Sequence, residues 1–150
     1  MMAKIRSRNT SPEILIRKAL HARGFRFRVH VKNLPGTPDL VMPKYKAVIF
    51  IHGCFWHGHG CRYFKIPQTR TNFWIEKITK NQARDKQQLV ELLSLGWRVL
   101  VIWECAVRTI KKQSDFLLID QTICWLLKDS KLDHIDEITL KSAVQKQGKL

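Results

Sequence analysis

Ten residues, from His52 to Cys61, contain five side chains that can bind a metal ion or carry a proton: His52, Cys54, His57, His59 and Cys61. Thiolates and imidazoles are ligands for soft and borderline metals, and imidazole also transfers protons near neutral pH. A chain seldom concentrates such residues for packing alone. We therefore expect some of these side chains to hold a metal ion and the others to take part in catalysis.

The spacing of Cys54, His59 and Cys61 predicts a structural zinc site, because two thiolates and one imidazole suit tetrahedral zinc. Cys105 follows a buried strand that would end beside this loop, and it is the expected fourth ligand. Four protein ligands would close the coordination shell and fix the glycine-rich loop. The alternative is that the three cysteines are buried free thiols and the histidine a surface residue. Cys124 lies in an apolar segment and is expected to be a core thiol.

The elements that must position these residues follow from the hydrophobic pattern. It predicts a helix at 11–23, strands at 25–30, 39–42 and 47–52, a helix at 72–95, a strand at 97–103 and a helix at 114–127. In the first strand, Arg26, Arg28 and His30 would form a basic outer face. The 47–52 strand is apolar on both faces and is expected to be central.

These elements indicate a single α/β domain over residues 1–150, with a mixed β-sheet flanked by helices. The last strand follows a helical crossover, so it should lie parallel to a strand already in the sheet. Residues 129–150 are polar, and we expect them to form a C-terminal tail.

The charge of the chain points to a polyanionic partner. It carries 27 Lys and Arg against 12 Asp and Glu, for a formal net charge of +15, and nucleic acid is the first candidate. A basic solvated face without a ligand is the alternative. No apolar run reaches the roughly 18 residues of a membrane span, so we expect a cytoplasmic protein.

Acidic residues outline a second cluster, distinct from the zinc site. Asp39 begins a strand and Glu13 lies on the first helix; carboxylates at such places are what magnesium requires. The alternatives are an exposed turn aspartate and an acid that stabilises the helix N-terminus. Asp85 recurs with the apolar residues of the long helix and so faces its buried side. Its partner would be an active-site histidine or the cation of a structural salt bridge.

Several segments together resemble the very-short-patch-repair (Vsr) DNA mismatch endonucleases. They are Leu34-Pro35-Gly36-Thr37-Pro38-Asp39, Val48 to His57, Thr69-Arg70-Thr71-Asn72-Phe73-Trp74, and Gly96 to Leu100 with Trp103-Glu104-Cys105. The resemblance covers roughly residues 2–108, in the family's order and spacing. It implies a fold similar to type II restriction endonucleases. It also implies a magnesium-dependent enzyme that nicks DNA 5′ to the thymine of T:G mismatches left by deaminated 5-methylcytosine.

The resemblance also implies roles for individual residues. Asp39 and the backbone carbonyl of Ile51 would bind Mg²⁺, and Glu13 would support the site, through water. The family commonly has threonine at the Ile51 position, but a carbonyl ligand does not require that side chain. His57 would be the general base for the attacking water. His52 would lie beside the scissile phosphate and either stabilise charge or relay a proton.

Aromatic and basic residues would contact the DNA. By the resemblance, Phe55, Trp56 and Trp74 wedge into the base stack beside the mismatch; the alternative is that the loop aromatics cover the zinc site as core residues. The expected contacts to the DNA backbone are Arg6, Arg8, Lys65 and Arg70. The chain begins a few residues before the Ile5-Arg6-Ser7-Arg8 segment, where family members usually have a longer basic arm.

Two other functions remain open at this point. One is a restriction-type nickase or nuclease with a different DNA target; the other is a zinc-containing DNA-binding module without catalysis, which would leave Asp39 and His57 unexplained. For the leading function the partner is double-stranded DNA with a T:G mismatch, and mismatch-repair proteins are further candidates. We expect a bacterial monomer that acts at the nucleoid, because a single asymmetric lesion requires no second subunit.

Overall fold

The computed structural model of the protein describes residues 9–110 and 115–147. Its elements are α1 (Ser11–Ala22), β1 (Arg28–Val29), β2 (Leu40–Met42), a short 3₁₀ turn (Pro43–Tyr45), β3 (Ala47–His52), α2 (Thr71–Ser94), β4 (Arg98–Trp103), α3 (Glu104–Ile110), α4 (Asp115–Leu126), β5 (Leu132–Ile135) and α5 (Glu137–Gln147). Within this part of the chain, none of the helices combines the length and apolar character needed to cross a membrane.

The five strands form one mixed sheet in the order β1-β2-β3-β4-β5. The pairs β1–β2 and β2–β3 are antiparallel, whereas β3–β4 and β4–β5 are parallel. Strand β4 follows the crossover helix α2, which explains its parallel direction. The predicted mixed sheet with flanking helices is confirmed, and so is the central place of β3.

Strand β3 is central because its side chains are apolar on both faces. Ile49 packs into a core shared with α1, α3, α4 and α5, while Val48 and Phe50 pack on the opposite face, where α2 lies. Successive strand residues point to opposite faces, so one short strand serves both cores. His52, a candidate site residue, is the last residue of this apolar strand.

Helix α1 carries Glu13 into the interior. Pro12 lies in the first turn, where its fixed φ suits the helix and no N–H is needed. Ile16 and Leu20 are fully buried and anchor the helix to the sheet. Gly24, at φ +89°, ends the helix in a left-handed turn. The helix therefore presents an acid from its first turn towards the sheet.

Strand β1 is shorter than predicted. Only Arg28–Val29 pair with β2, and the next residue, His30, has φ +50°. This left-handed backbone turns the His30 side chain inward, where it is 13% exposed. The expectation that it belongs to a basic outer face is wrong, because the alternation of inward and outward side chains ends at Arg28, and Val29 is already exposed.

The C-terminal segment also differs from the prediction. The stretch expected to be a polar tail instead forms β5 and α5, and α3 follows β4 without a break. In β5, only Leu132 and Ile135 are turned inward, while Asp133 and His134 are exposed. Such a short strand has no local signal of its own, since it depends on pairing with β4.

Cys124 is exposed, so its interpretation as a core thiol is wrong. On α4 the buried positions Leu118, Thr122 and Trp125 follow helical spacing. Cys124 lies off that face although its neighbours in sequence are apolar.

Candidate active site and metal centres

His57 is oriented by Asp85, which reaches it from α2. Nδ1 of His57 lies 2.5 Å from Oδ2 of Asp85, and each side chain is 21% exposed. A carboxylate accepts hydrogen bonds, so Nδ1 is the donor and Nε2 is left as the basic nitrogen. A histidine held in this way by a carboxylate can act as a general base through its outer nitrogen.

His52 lies against His57 at the end of β3. The two rings are stacked, with centroids 3.8 Å apart and planes inclined by 5°. Burial, together with the neighbouring His57, lowers the pKa of His52 to about 3. The free protein therefore holds His52 as a neutral ring. Such a ring can donate or accept a hydrogen bond, but it carries no charge with which to neutralise a phosphate.

Helix α2 also fixes the loop that follows β3. The Asn81 amide donates to the Trp56 carbonyl at 3.0 Å, and the Gln82 amide donates to the Gly58 carbonyl at 3.2 Å. Gly58 has φ +66°, and a Cβ there would lie 2.2 Å from Nε2 of Gln82 and 2.8 Å from Cγ2 of Ile78. Glycine is required at this position for the loop to approach the helix so closely.

Asp39 lies immediately before β2, and its Oδ2 accepts the Ile51 N–H at 2.7 Å. Burial raises the pKa of Asp39 to about 7; the Ile51 hydrogen bond opposes this shift and the nearby Glu13 adds to it. A bound cation would favour the charged carboxylate in this place. The N–H and C=O of one strand residue point to the same side, so the Ile51 carbonyl faces the side of Asp39 as well. These are hard oxygen donors, which fit Mg²⁺.

Glu13 is 3% exposed and lies beside Asp39. Its Oε2 accepts hydrogen bonds from Arg17 Nη2 at 2.6 Å, from the Asn9 N–H at 3.1 Å and from His30 Nε2 at 3.1 Å. One ligand atom each from Glu13, His30 and Asp39 lie within 4.8 Å of one another. The structure thus brings together the two acids expected to serve one cation. It adds His30, which the pattern of the sequence did not single out.

Three residues of the loop after β3 and one residue of α3 form a second candidate metal centre. Ligand atoms of Cys54, His59, Cys61 and Cys105 all lie within 4.8 Å of one another. The Cys54 thiol beside it lowers the pKa of Cys105 to about 6, and the backbone N–H of Glu137 acts in the same direction. Thiolate character and this donor set fit a tetrahedral metal ion.

Residues at the start of α5 support this centre. Nε2 of His59 lies 3.3 Å from Oδ2 of Asp136, which leaves Nδ1 facing Cys105 Sγ at 3.8 Å. The Glu137 N–H donates to the same sulfur at 3.3 Å. A ligand histidine commonly has its second nitrogen held by a carboxylate. Sequence reasoning missed both acids because they belong to the segment expected to be a tail.

The three expected wedge aromatics form one patch at the start of α2. The ring centroid of Phe55 lies 5.2 Å from that of Trp56 and 5.4 Å from that of Trp74, and the two tryptophans are 5.9 Å apart. All three side chains are partly exposed. Phe73 extends the patch and is 43% exposed. We refer to these four residues as the aromatic patch.

One basic residue, Arg70, lies beside the aromatic patch. Lys65 and Arg70 are both exposed, and the Arg70 guanidinium lies 4.4 Å from the ring centroid of Phe73. Arg6 and Arg8, the other expected DNA contacts, lie outside the described residues.

Comparison with known proteins gives consistent matches. Residues 1–63 match the family model for DNA mismatch endonuclease Vsr. The chain is 45% identical over 135 residues to the DNA mismatch endonuclease Vsr of Escherichia coli, covering 90% of this chain and 86% of that protein. It is 51% identical over 105 residues to the type II nicking enzyme V.XorIIP of Xanthomonas oryzae, covering 70% and 77%. It is also 51% identical over 108 residues to the type II nicking enzyme V.NmeAIP of Neisseria meningitidis, covering 72% and 77%.

Proposed function

The chain belongs to the Vsr family of DNA mismatch endonucleases, and we propose that it nicks double-stranded DNA 5′ to the thymine of a T:G mismatch. Such mismatches arise when 5-methylcytosine is deaminated, so the nick would begin very short patch repair. The observation that carries the proposal is the His57–Asp85 contact, which leaves Nε2 of His57 free in the same site as the buried carboxylate of Asp39.

Asp39 and the Ile51 carbonyl would hold the catalytic Mg²⁺, with Glu13 supporting the site through water. When bound, Mg²⁺ supplies positive charge that offsets the charge developing on the scissile phosphate. The assignment is supported by the raised pKa of Asp39, which reflects a carboxylate whose burial outweighs the opposing effects of the Ile51 hydrogen bond and of Arg17. It is also supported by the hydrogen bond that aligns Asp39 with Ile51.

His57 would take a proton from the attacking water through Nε2. Asp85 keeps the Nδ1 proton on the opposite side of the ring, and it stabilises the imidazolium that forms. The neutral ring of His52, stacked on His57, would contact the phosphate by a hydrogen bond. Positive charge at the phosphate would therefore come from the metal and from basic side chains.

Zinc bound by Cys54, His59, Cys61 and Cys105 would have a closed shell and a structural role. His57 lies between these ligands in the loop, so the metal would hold the general base in place. This arrangement accounts for the density of reactive residues in one short loop.

The aromatic patch would enter the base stack beside the mismatch. Opening a stack costs a few kcal/mol, and least where a mismatch has already weakened the pair, so the wedge itself favours mismatched sites. Lys65 and Arg70 would contact the flanking phosphates. We place the reaction in the cytoplasm, with the enzyme acting as a monomer and mismatch-repair proteins as candidate partners.

The test compares nicking of labelled duplexes that differ only in one T:G or T:A pair, in the presence of Mg²⁺. The proposal predicts one nick, 5′ to the mismatched thymine, and a much slower reaction on the T:A duplex. Equal cleavage of both duplexes would favour a nickase with a different target, a class that the names of V.XorIIP and V.NmeAIP keep open. Binding without any nick would favour a DNA-binding module.

A further inference from the structure

His30 occupies a backbone conformation that costs energy. Its φ of +50° lies in the left-handed region, which residues other than glycine, asparagine and aspartate seldom adopt unless the surroundings hold them there. The register of β1 and β2 pairs Val29 with Leu40, so His30 and Asp39 are the next two residues beyond the paired ends. The left-handed turn brings the imidazole to the acids instead of leaving it in solvent.

The contacts of His30 define which of its ring nitrogens donates a hydrogen bond. Nε2 lies 3.1 Å from Oε2 of Glu13 and 3.9 Å from Oδ1 of Asp39. A carboxylate oxygen accepts hydrogen bonds, so Nε2 carries a proton and donates to Glu13. One N–H group therefore lies between two carboxylates that would otherwise repel each other.

His30 differs from the other donors to Glu13 in where it lies in the chain. Arg17 and Asn9 are each four residues from Glu13 in sequence, so they orient the carboxylate relative to α1 itself. His30 is 17 residues away and follows β1. Its hydrogen bond ties α1 to the end of β1, whose partner strand β2 begins directly after Asp39.

We propose that His30 is a positioning residue of the cation site: its Nε2–H holds the Glu13 carboxylate at the distance from Asp39 that a divalent cation requires. The inference rests on the proposed magnesium-dependent function. Oε2 of Glu13 accepts hydrogen bonds from three donors, and Oδ2 of Asp39 accepts one from Ile51. Oε1 of Glu13 and Oδ1 of Asp39 are therefore the oxygens that would face the cation and its water. Losing the His30 contact leaves the Glu13 carboxylate held only by Arg17 and Asn9, no longer fixed relative to Asp39, and so weakens the site.

Two substitutions distinguish the loss of the hydrogen bond from a change in backbone conformation. Asparagine tolerates left-handed φ, but its amide is one bond too short to reach Glu13; His30→Asn therefore removes the contact while keeping the turn. Glutamine carries its amide nitrogen the same number of bonds from Cα as Nε2 of histidine, so His30→Gln restores a donor. His21→Ala is the matched control, since His21 is an exposed histidine on α1.

The experiment measures nicking of the T:G duplex against Mg²⁺ concentration, and Mn²⁺ binding to the full chain by the loss of the free-ion EPR signal. His30→Asn should raise the Mg²⁺ concentration for half-maximal nicking, and the Kd for Mn²⁺, by roughly 10–100-fold, as is usual when a group supporting a metal ligand is lost. The rate at saturating Mg²⁺ should stay near that of the unmodified chain. His30→Gln should recover most of the affinity, and His21→Ala should behave as the unmodified chain.

Unchanged metal affinity in His30→Asn would overturn the role of His30, and so would a loss of maximal rate without a change in half-saturation. In both cases Mg²⁺-dependent nicking by the unmodified chain would leave the proposed function intact. Nicking and Mn²⁺ binding that persist in Asp39→Asn would instead overturn the cation site, and with it the proposed function.

Discussion

Asp85 and His57 are 28 residues apart in the sequence, yet Oδ2 of the acid contacts Nδ1 of the histidine. The contact exists because α2 crosses back over the sheet and lies along the loop after β3. Asn81 and Gln82, on the same helix, hold the loop backbone on either side of His57. The crossover helix thus connects β3 to β4 and also sets the position and the tautomer of the proposed base.

Replacing Asp85 with asparagine should slow nicking by about 10²–10⁴-fold, because the imidazole loses the acceptor that fixes its Nδ1 proton. Binding to the T:G duplex should be unchanged, since Asp85 lies about three helical turns along α2 from Trp74 of the aromatic patch. Single-turnover nicking and fluorescence anisotropy measure the two properties. Glu76→Gln is the matched control, because Glu76 is an exposed acid on the same helix. A rate within a few fold of the unmodified chain would contradict the role of Asp85.

Asp39→Asn should stabilise the Mg²⁺-free protein at alkaline pH. The pKa of Asp39 is raised from 3.8 to about 7 by burial, so the folded state favours the neutral acid. Its stabilising contribution is present below pH 3.8 and is lost as the pH rises through 7. Asparagine is neutral throughout and avoids that loss.

Urea unfolding at pH 5 and pH 8, without Mg²⁺, tests this expectation. From pH 5 to pH 8, the free energy of unfolding of the variant should rise relative to that of the unmodified chain by on the order of 2–4 kcal/mol. The reason is that one pKa unit corresponds to about 1.4 kcal/mol. Added Mg²⁺ should reduce the difference in stability between the two proteins at pH 8, because it binds only the unmodified site. A difference that does not vary with pH would show that the carboxyl is not perturbed.

Asp136→Asn should weaken metal binding at the Cys54–His59–Cys61–Cys105 centre by roughly 10–100-fold, because the carboxylate orients His59. Competition for Zn²⁺ with a colorimetric chelator measures the affinity directly. Asp129→Asn, an exposed acid before β5, serves as the control. Equal Zn²⁺ retention by the two variants would show that Asp136 has no part in the site.

Trp56→Ala should reduce the preference for T:G over T:A duplexes by about 1–3 kcal/mol in binding free energy, the usual contribution of one aromatic side chain stacked on a base. The T:A duplex is the internal control, since the wedge contributes least where the stack is intact. Anisotropy titrations of both duplexes provide the comparison. An equal loss of affinity for the two would show that Trp56 supports the fold or general DNA contact and does not probe the mismatch.

Local patterns in the sequence predict the main elements of the fold and several residues of the site. The strand ending at His52 is apolar on both faces, and Asp85 recurs with the buried positions of its helix, so both could be placed before the structure was known. The structure brings Cys105 to the loop ligands because β4 lies beside β3 in parallel register.

The parts that were missed depend on tertiary structure. His30 points inward because its own backbone is left-handed, and no periodic pattern in the sequence reveals such a conformation. Asp136 and Glu137 act through a short strand that exists only by pairing with β4. Cys124 shows the opposite error: an apolar neighbourhood in sequence does not fix which face of a helix is buried.

Asp39 and His57 are the two residues proposed to perform the cleavage. Their roles are tested by single-turnover nicking of a T:G duplex with Mg²⁺ by the unmodified chain, Asp39→Asn and His57→Ala, with DNA affinity measured in parallel. We predict that both variants bind the duplex as the unmodified chain does, and that His57→Ala nicks about 10²–10⁴-fold more slowly. Asp39→Asn should give no detectable nick. Nicking by Asp39→Asn at the rate of the unmodified chain would show that Asp39 does not hold the catalytic cation.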